Sequence, residues 1–218
     1  MGEFEPDVFK DPGECGFKQI KVFDIGDIVS TTERIHFLDS CSRFGNVFVG
    51  RQSGFDLYRQ ADLEGTGGDA PKATCSVSLA GQLRWLAVSS CGLTLLATVL
   101  ATDNTTENLF FDTRSLLKGD SAPFAKQTPP PTHETIISAC WNPSIAEILT
   151  IVYQTGAVQV LKVEKSVSVH ATKAPFNARC IAWSPKGKQM VIGKGPGPTD
   201  IEQSYILLGL YFIRTSQN

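Results

Sequence analysis

No apolar run in these 218 residues approaches the roughly 20 needed to cross a bilayer; the longest, Tyr205 to Ile213, is less than half of that. No membrane insertion is expected. The opening M-G-E-F-E-P has no apolar h-region and carries Pro6 where a myristoylation signal needs Ser or Thr, so neither export nor lipidation is expected. Histidine is scarce. His36, His133 and His170 stand far apart, with no carboxylate or thiol at ligand spacing, which argues against a metal site. The six cysteines, Cys15, Cys41, Cys75, Cys91, Cys140 and Cys180, form no C-x-x-C pair. Most lie beside apolar segments and read as buried, reduced thiols of a cytosolic or nuclear protein. Nor is there a large excess of one charge: the formal net charge is −2, and 42% of the residues are hydrophobic, the balance of a soluble globular chain.

What is present is punctuation. Thirteen Phe, nineteen Gly and twelve Pro, scattered rather than periodic, favour many short strands joined by turns. Self-comparison gives these strands a period. Ser42-Arg43-Phe44-Gly45 leads into Asn46–Val49, Ser89-Ser90-Cys91-Gly92 into Leu93–Ala97, and Ser184-Pro185-Lys186-Gly187 into Lys188–Ile192. Asn142-Pro143-Ser144-Ile145 before Ala146–Thr150 is a looser copy, and the four turn starts are 47, 53 and 42 residues apart. An apolar segment precedes each turn: Ile35–Leu38, Trp85–Val88, Ile136–Trp141 and Cys180–Trp183. A further strand follows the first three exits, at Phe55–Tyr58, Leu109–Asp112 and Ala157–Leu161. Ser or Asn opens such a turn through its side chain, and Gly takes the position that needs positive φ. Three or more strands per unit at this spacing predict an all-β fold, a WD40-like β-propeller with about four blades in this chain.

The repeat absorbs the motifs that imitate chemistry. Residues 179–194, R-C-I-A-W-S-P-K-G-K-Q-M-V-I-G-K, end in Gly-Lys, but five residues separate Gly187 from Gly193, Gly195 follows Lys194, and a strand lies between. This is a hairpin opening the fourth blade and not a phosphate loop. Ser53 in Gly50-Arg51-Gln52-Ser53-Gly54 is one place off the nucleophile-elbow pattern and falls in a hairpin. Asp112-Thr113-Arg114 after Phe110-Phe111 reads as a structural strand ending. Pro129-Pro130-Pro131 reads as a stiff linker between blades, and Asn104-Thr105-Thr106 as an unused glycosylation pattern. No catalytic, cofactor-binding or metal-binding residues are assigned, and an enzyme is not expected, because no acids or histidines converge.

Four phrases go beyond a generic propeller: F-K-Q-I-K-V-F-D at 17–24, F-G-N-V-F-V-G-R-Q-S-G at 44–54, C-W-N-P at 140–143 and W-S-P-K-G-K-Q-M-V-I-G-K at 183–194. Together they resemble the N-terminal β-propeller of the CAN nucleoporins, large FG-repeat proteins of the cytoplasmic face of the nuclear pore complex. The resemblance implies a seven-bladed domain in the family, with Phe17–Phe23 as a strand closing the ring. It also implies a protein-interaction role in nucleocytoplasmic transport and mRNA export, nuclear pore proteins as partners, and docking of a DEAD-box helicase in the full-length family. After Lys194 the sequence departs from the family pattern, so a truncated propeller of about four of seven blades is expected, without the helicase-docking loops of later blades. The expected division is an acidic extension over 1–16, the partial propeller over 17–194 and a divergent tail over 195–218, whose Tyr205–Ile213 run would pair with whatever strand edge is open.

Charge suggests one alternative. From Lys162 to Lys194 seven basic residues face a single acidic one, while residues 1–16 hold five acidic side chains and only Lys10. A scaffold of another assembly could bind an acidic protein or RNA through Lys186, Lys188 and Lys194, although alternate residues of edge strands are ordinarily charged.

Overall fold

The computed structural model describes residues 37–64, 71–129 and 135–194, and the backbone of a strand at 210–214. The acidic extension, Phe17–Phe23, Cys15, His36, His133 and Pro130-Pro131 lie outside the described residues. Among the described residues fifteen strands form four antiparallel meanders in chain order. Blade 1 holds β1 (Leu38–Cys41), β2 (Asn46–Arg51), β3 (Gly54–Arg59) and β4 (Cys75–Ser78), with a short helix α1 (Gln60–Glu64) after β3. Blade 2 holds β5 (Gly81–Val88), β6 (Thr94–Ala101), β7 (Thr106–Asp112) and β8 (Ala125–Gln127), with α2 (Thr113–Leu116) after β7. Blade 3 holds β9 (Ile136–Trp141), β10 (Ile148–Tyr153), β11 (Ala157–Val163) and β12 (Val167–Lys173). Blade 4 holds β13 (Ala178–Trp183), β14 (Gln189–Lys194) and β15 (Leu210–Arg214).

The first strands of the blades neighbour one another, β1 beside β5, β5 beside β9 and β9 beside β13, as the inner strands of a propeller do. Blade faces are therefore buried against blade faces. Leu95, Ala97 and Val99 of β6 pack with Phe48, Phe55 and Leu57 of blade 1. Leu96 of the same strand packs the other way, with Phe110 and with Trp141, Leu149 and Ile151 of blade 3. Side chains alternate along a strand, so the run T-L-L-A-T-V-L-A is apolar at successive positions because both of its faces are covered. Ring contacts span the sheets: Phe55 meets Phe111 edge-on at 5.4 Å, and Phe110 meets Trp141 at 6.4 Å. Between blades 3 and 4 the buried residues are smaller, Val152, Val158, Ala174, Ala178 and Ile192.

The turn phrases fold as their residues require. Gly45, Gly92 and Gly187 hold φ of 60°, 76° and 65°. Ser89 Oγ accepts from Thr94 N and Ser184 Oγ from Gln189 N, each at 3.1 Å. At the turn without a positive-φ glycine, Asn142 Oδ1 accepts from both Ser144 N and Ile145 N at 2.9 Å. Among the described residues the inner strand of blade 1 is Leu38–Cys41; Ile35 and His36 of the expected apolar segment Ile35–Leu38 lie outside the described residues. The ladder with Asn46–Val49 fixes it there, and Leu38 is left 61% exposed. The expected pairing of the 205–213 run takes the form of β15, antiparallel on β14 from Gln189↔Arg214 to Gly193↔Leu210.

Candidate interaction surface

The first turns of neighbouring blades meet: Gly92 of blade 2 approaches Cys41 and Phe44 of blade 1, and Gly187 of blade 4 approaches Asn142 of blade 3. Four side chains carry the joints between blades there. Asp39 Oδ2 accepts the Val88 N–H at 2.7 Å, tying blade 1 to blade 2. The indole N–H of Trp141 donates to Ala87 O at 3.0 Å, tying blade 3 to blade 2. Asn142 Nδ2 donates to Gly187 O at 2.8 Å while Ser144 Oγ donates to Pro185 O at 3.3 Å, tying blade 3 to blade 4. A Cβ on Gly187 would run into the Asn142 amide, so glycine there serves the joint as well as the turn. Trp183 stands in blade 4 where Trp141 stands in blade 3, and its buried ring N–H has no acceptor among the described residues.

Between the inner strands lies a cleft of about 660 Å³, its wall formed by Trp85, Ala139, Cys140, Cys180 and Ile181 with Asp39 as its one carboxylate. The groups are apolar or weakly polar. Burial pushes the Cys140 thiol up to about 12, so it stays protonated at neutral pH. Cys75 is also raised, by burial first and then by the nearby Asp56 carboxylate. The described cysteines are free thiols, but the expectation that they are buried holds fully only at Cys41: Cys75, Cys91 and Cys140 are half-buried, and β13 leaves Cys180 exposed on the cleft side. The apolar residues around it in sequence gave no sign of this, because β13 leaves Ala182 exposed and Ile181 only half-buried as well. Among the described residues no three His, Cys, Asp or Glu side chains gather as metal ligands.

The other singled-out residues take local roles. Asp112 caps α2: its carboxylate accepts from Arg114 N at 2.8 Å and pairs with the Arg114 guanidinium at 2.7 Å, which holds its carboxyl below the ordinary range. Ser53 lies in the β2–β3 turn, where its carbonyl accepts from Leu79 N. Residues 179–194 are the β13–β14 hairpin, with Cys180 opposite Gly193 and Trp183 opposite Met190. The basic residues of 162–194 are dispersed. Lys162 pairs with Glu164 at 2.8 Å, Lys165 and Lys173 flank β12 at opposite ends, and exposed Lys186 and Lys188 border a separate cleft of about 420 Å³ with Ser184, Pro185 and Gln189. His170 lies exposed in the middle of β12. What the sequence could not signal is the set of joints, since Asp39–Val88, Ala87–Trp141 and Asn142–Gly187 join residues 49, 54 and 45 positions apart.

No family model matches the chain. Over 193 residues, 83% of this chain, it is 28% identical to the human nuclear pore complex protein Nup214, and it spans 9% of that protein's length. This similarity bears out the resemblance to the CAN nucleoporin propeller. The fold is that of Saccharomyces cerevisiae Sqt1 (TM-score 0.56, 10% identity, 74% of this chain and 43% of that one). It is also that of the β-propeller domain of Cps50 (Swd1) from Myceliophteria thermophila (TM-score 0.52, 14% identity, 85% and 53%). The periplasmic gluconolactonase PpgL of Pseudomonas aeruginosa superposes similarly (TM-score 0.53, 14% identity, 73% and 47%). At such identities the likeness concerns fold alone. The chain is thus a set of WD40-like propeller blades similar in sequence to a nucleoporin.

Proposed function

We propose that the chain is a non-enzymatic protein-interaction module of the nuclear pore, acting in nucleocytoplasmic transport and mRNA export. The observation that carries this reading is the 28% identity to Nup214 across 83% of the chain, laid over blades that present turns and strand edges. Its place in this reading is the cytoplasmic face of the pore, and its partners are other pore proteins. In this reading residues 1–16 are an extension, 17–194 the propeller and 195–218 a tail whose residues 210–214 add the third strand of blade 4. A DEAD-box helicase is the partner that the resemblance supplies for the full-length family, but it assigns that docking to no residue of this chain.

Affinity purification of the tagged 218-residue chain from nucleated cells tests the reading. Enrichment of pore proteins is the expected result, with signal at the nuclear rim, and no retention of purified helicase is expected in a pull-down. Enrichment of a different assembly with no pore protein overturns the reading, and turnover in a broad hydrolase screen overturns its non-enzymatic part.

A second reading, a scaffold binding an acidic protein or RNA, is favoured by the exposure of Lys186 and Lys188 beside one cleft. Lys186→Glu with Lys188→Glu abolishes that binding if this is the contact. The same double variant leaves pore association unchanged if it is not.

A further inference from the structure

The outer strands of the blades differ in how they treat their free edge. Sheet edges are ordinarily blunted by shortness, charge or proline. β4 has four residues and β8 three. β12 has seven, V-S-V-H-A-T-K, with no proline and a lysine only at its last position. It pairs with β11 along its whole length, from Ala157↔Lys173 to Val163↔Val167, without a bulge. Among the described residues no strand pairs with its other side.

Hydrogen bonds just beyond both ends of β12 set the phase of the ladder. Glu164 N donates to Ser166 O at 3.1 Å, and Ala174 N donates to Gly156 O at 2.8 Å. Bonded and non-bonded pairs alternate in an antiparallel ladder, so the residues bonded to β11 are Ser168, His170 and Thr172. The N–H and C=O groups of Val167, Val169, Ala171 and Lys173 therefore turn to the open side. Val167 packs toward the core between blades 2 and 3, and by alternation Val169, 45% exposed, and Ala171 share that face. The opposite face presents the hydroxyls of Ser168 and Thr172 and the imidazole of His170, all hydrogen-bond donors.

Charge selects the occupant. Between 162 and 194 the one acidic residue, Glu164, is already engaged by Lys162 at 2.8 Å, whereas Lys165 and Lys173 flank the edge. A second copy pairing antiparallel about His170 would set imidazole against imidazole and Lys173 against Val167, with no opposite charges in register. An acidic strand meets donors on one face and cations at both ends.

We propose that β12 is a docking edge for an extended acidic peptide, which joins blade 3 as a fifth strand with apolar side chains beside Val169 and carboxylates beside Ser168, His170 and Thr172. Main-chain bonds to four residues supply binding, and the alternating faces supply selectivity. This surface goes beyond the pore reading and does not depend on which pore proteins the chain meets.

The test titrates the full 218-residue chain with ten-residue peptides alternating Val and Glu, or Val and Lys, by calorimetry. Saturable binding of the Val/Glu peptide is expected, with the Val/Lys peptide at least tenfold weaker. Val169→Pro removes an open-side N–H that β11 does not use, so it should weaken the Val/Glu peptide at least tenfold with an unchanged urea midpoint. His170→Glu, which leaves the backbone intact, should weaken it several-fold and decides the matter if Val169→Pro does not fold. Equal binding of the two peptides, no binding of either, or unchanged affinity in a folded variant overturns the proposal. So does sedimentation showing a dimer that Val169→Pro abolishes, which would give the edge to a second copy.

Discussion

Asn142 makes three side-chain bonds: two backbone N–H groups donate to its oxygen and its nitrogen donates to the Gly187 carbonyl, all at 2.8–2.9 Å and buried or half-buried. Truncation leaves a buried carbonyl and two turn amides without partners, each costing on the order of 1 kcal/mol. Asn142→Ala is therefore expected to lower unfolding free energy by about 2–3 kcal/mol, read as a drop in urea midpoint at constant slope. Reactivity at the cysteines separates along the same line of burial. Exposed Cys180 should be alkylated at pH 7.5 without denaturant, while Cys140, held up to about 12, should react only on unfolding and show no rise in labelling between pH 7 and 9. Peptide mass spectrometry after a short alkylation pulse reads both, and equal labelling would contradict the arrangement of β9 and β13.

At the scale of elements, α2 depends on one carboxylate. Its four residues are too few to be helical by propensity, and Asp112 supplies the cap that holds them. Because the Arg114 hydrogen bond lowers the folded pKa of Asp112, its contribution is present above the ordinary carboxylate value of about 4 and is lost as pH falls through the lowered folded value. Asp112→Asn should flatten that part of the acid limb of a stability profile. Asp112→Ala should cost about 1 kcal/mol at neutral pH, as judged by urea unfolding. The elements legible in the sequence were those marked by glycine and serine, as at Ser89–Gly92 and Ser184–Gly187, and those with continuous apolar runs, as in β6 and β10. The outer strands β4 and β8 escaped notice because a short strand at the rim buries little and needs no pattern; β12 showed only as a basic stretch. Helices α1 and α2 carried no signal, since tertiary neighbours and one cap hold a single turn that periodicity cannot register.

For the whole molecule, stability is graded along the row of blades. The joints from blade 1 to blade 3 bury aromatic rings and leucines, whereas the fully buried side chains described between blades 3 and 4 are Val, Ala and Ile, with Phe176 half-buried against them. Since burial stabilises at roughly 25 cal/mol per Å², the smaller joint opens first. Native-state hydrogen exchange should show amides of β13 and β14 exchanging well before those of β5 to β7. Uniform protection across the four blades would refute this order.

The two-sided burial of β6 has a consequence for descent. Odd positions such as Leu95 and Ala97 answer to blade 1, even positions such as Leu96 to blade 3, so a single strand is held to two independent lists of acceptable neighbours. Substitutions at Leu95 should be accompanied through divergence by compensating changes around Phe55 and Leu57, and those at Leu96 by changes around Trp141 and Leu149. Blades that share one topology thus cannot be exchanged for one another within the chain, and duplication followed by drift makes each the private counterpart of the two beside it.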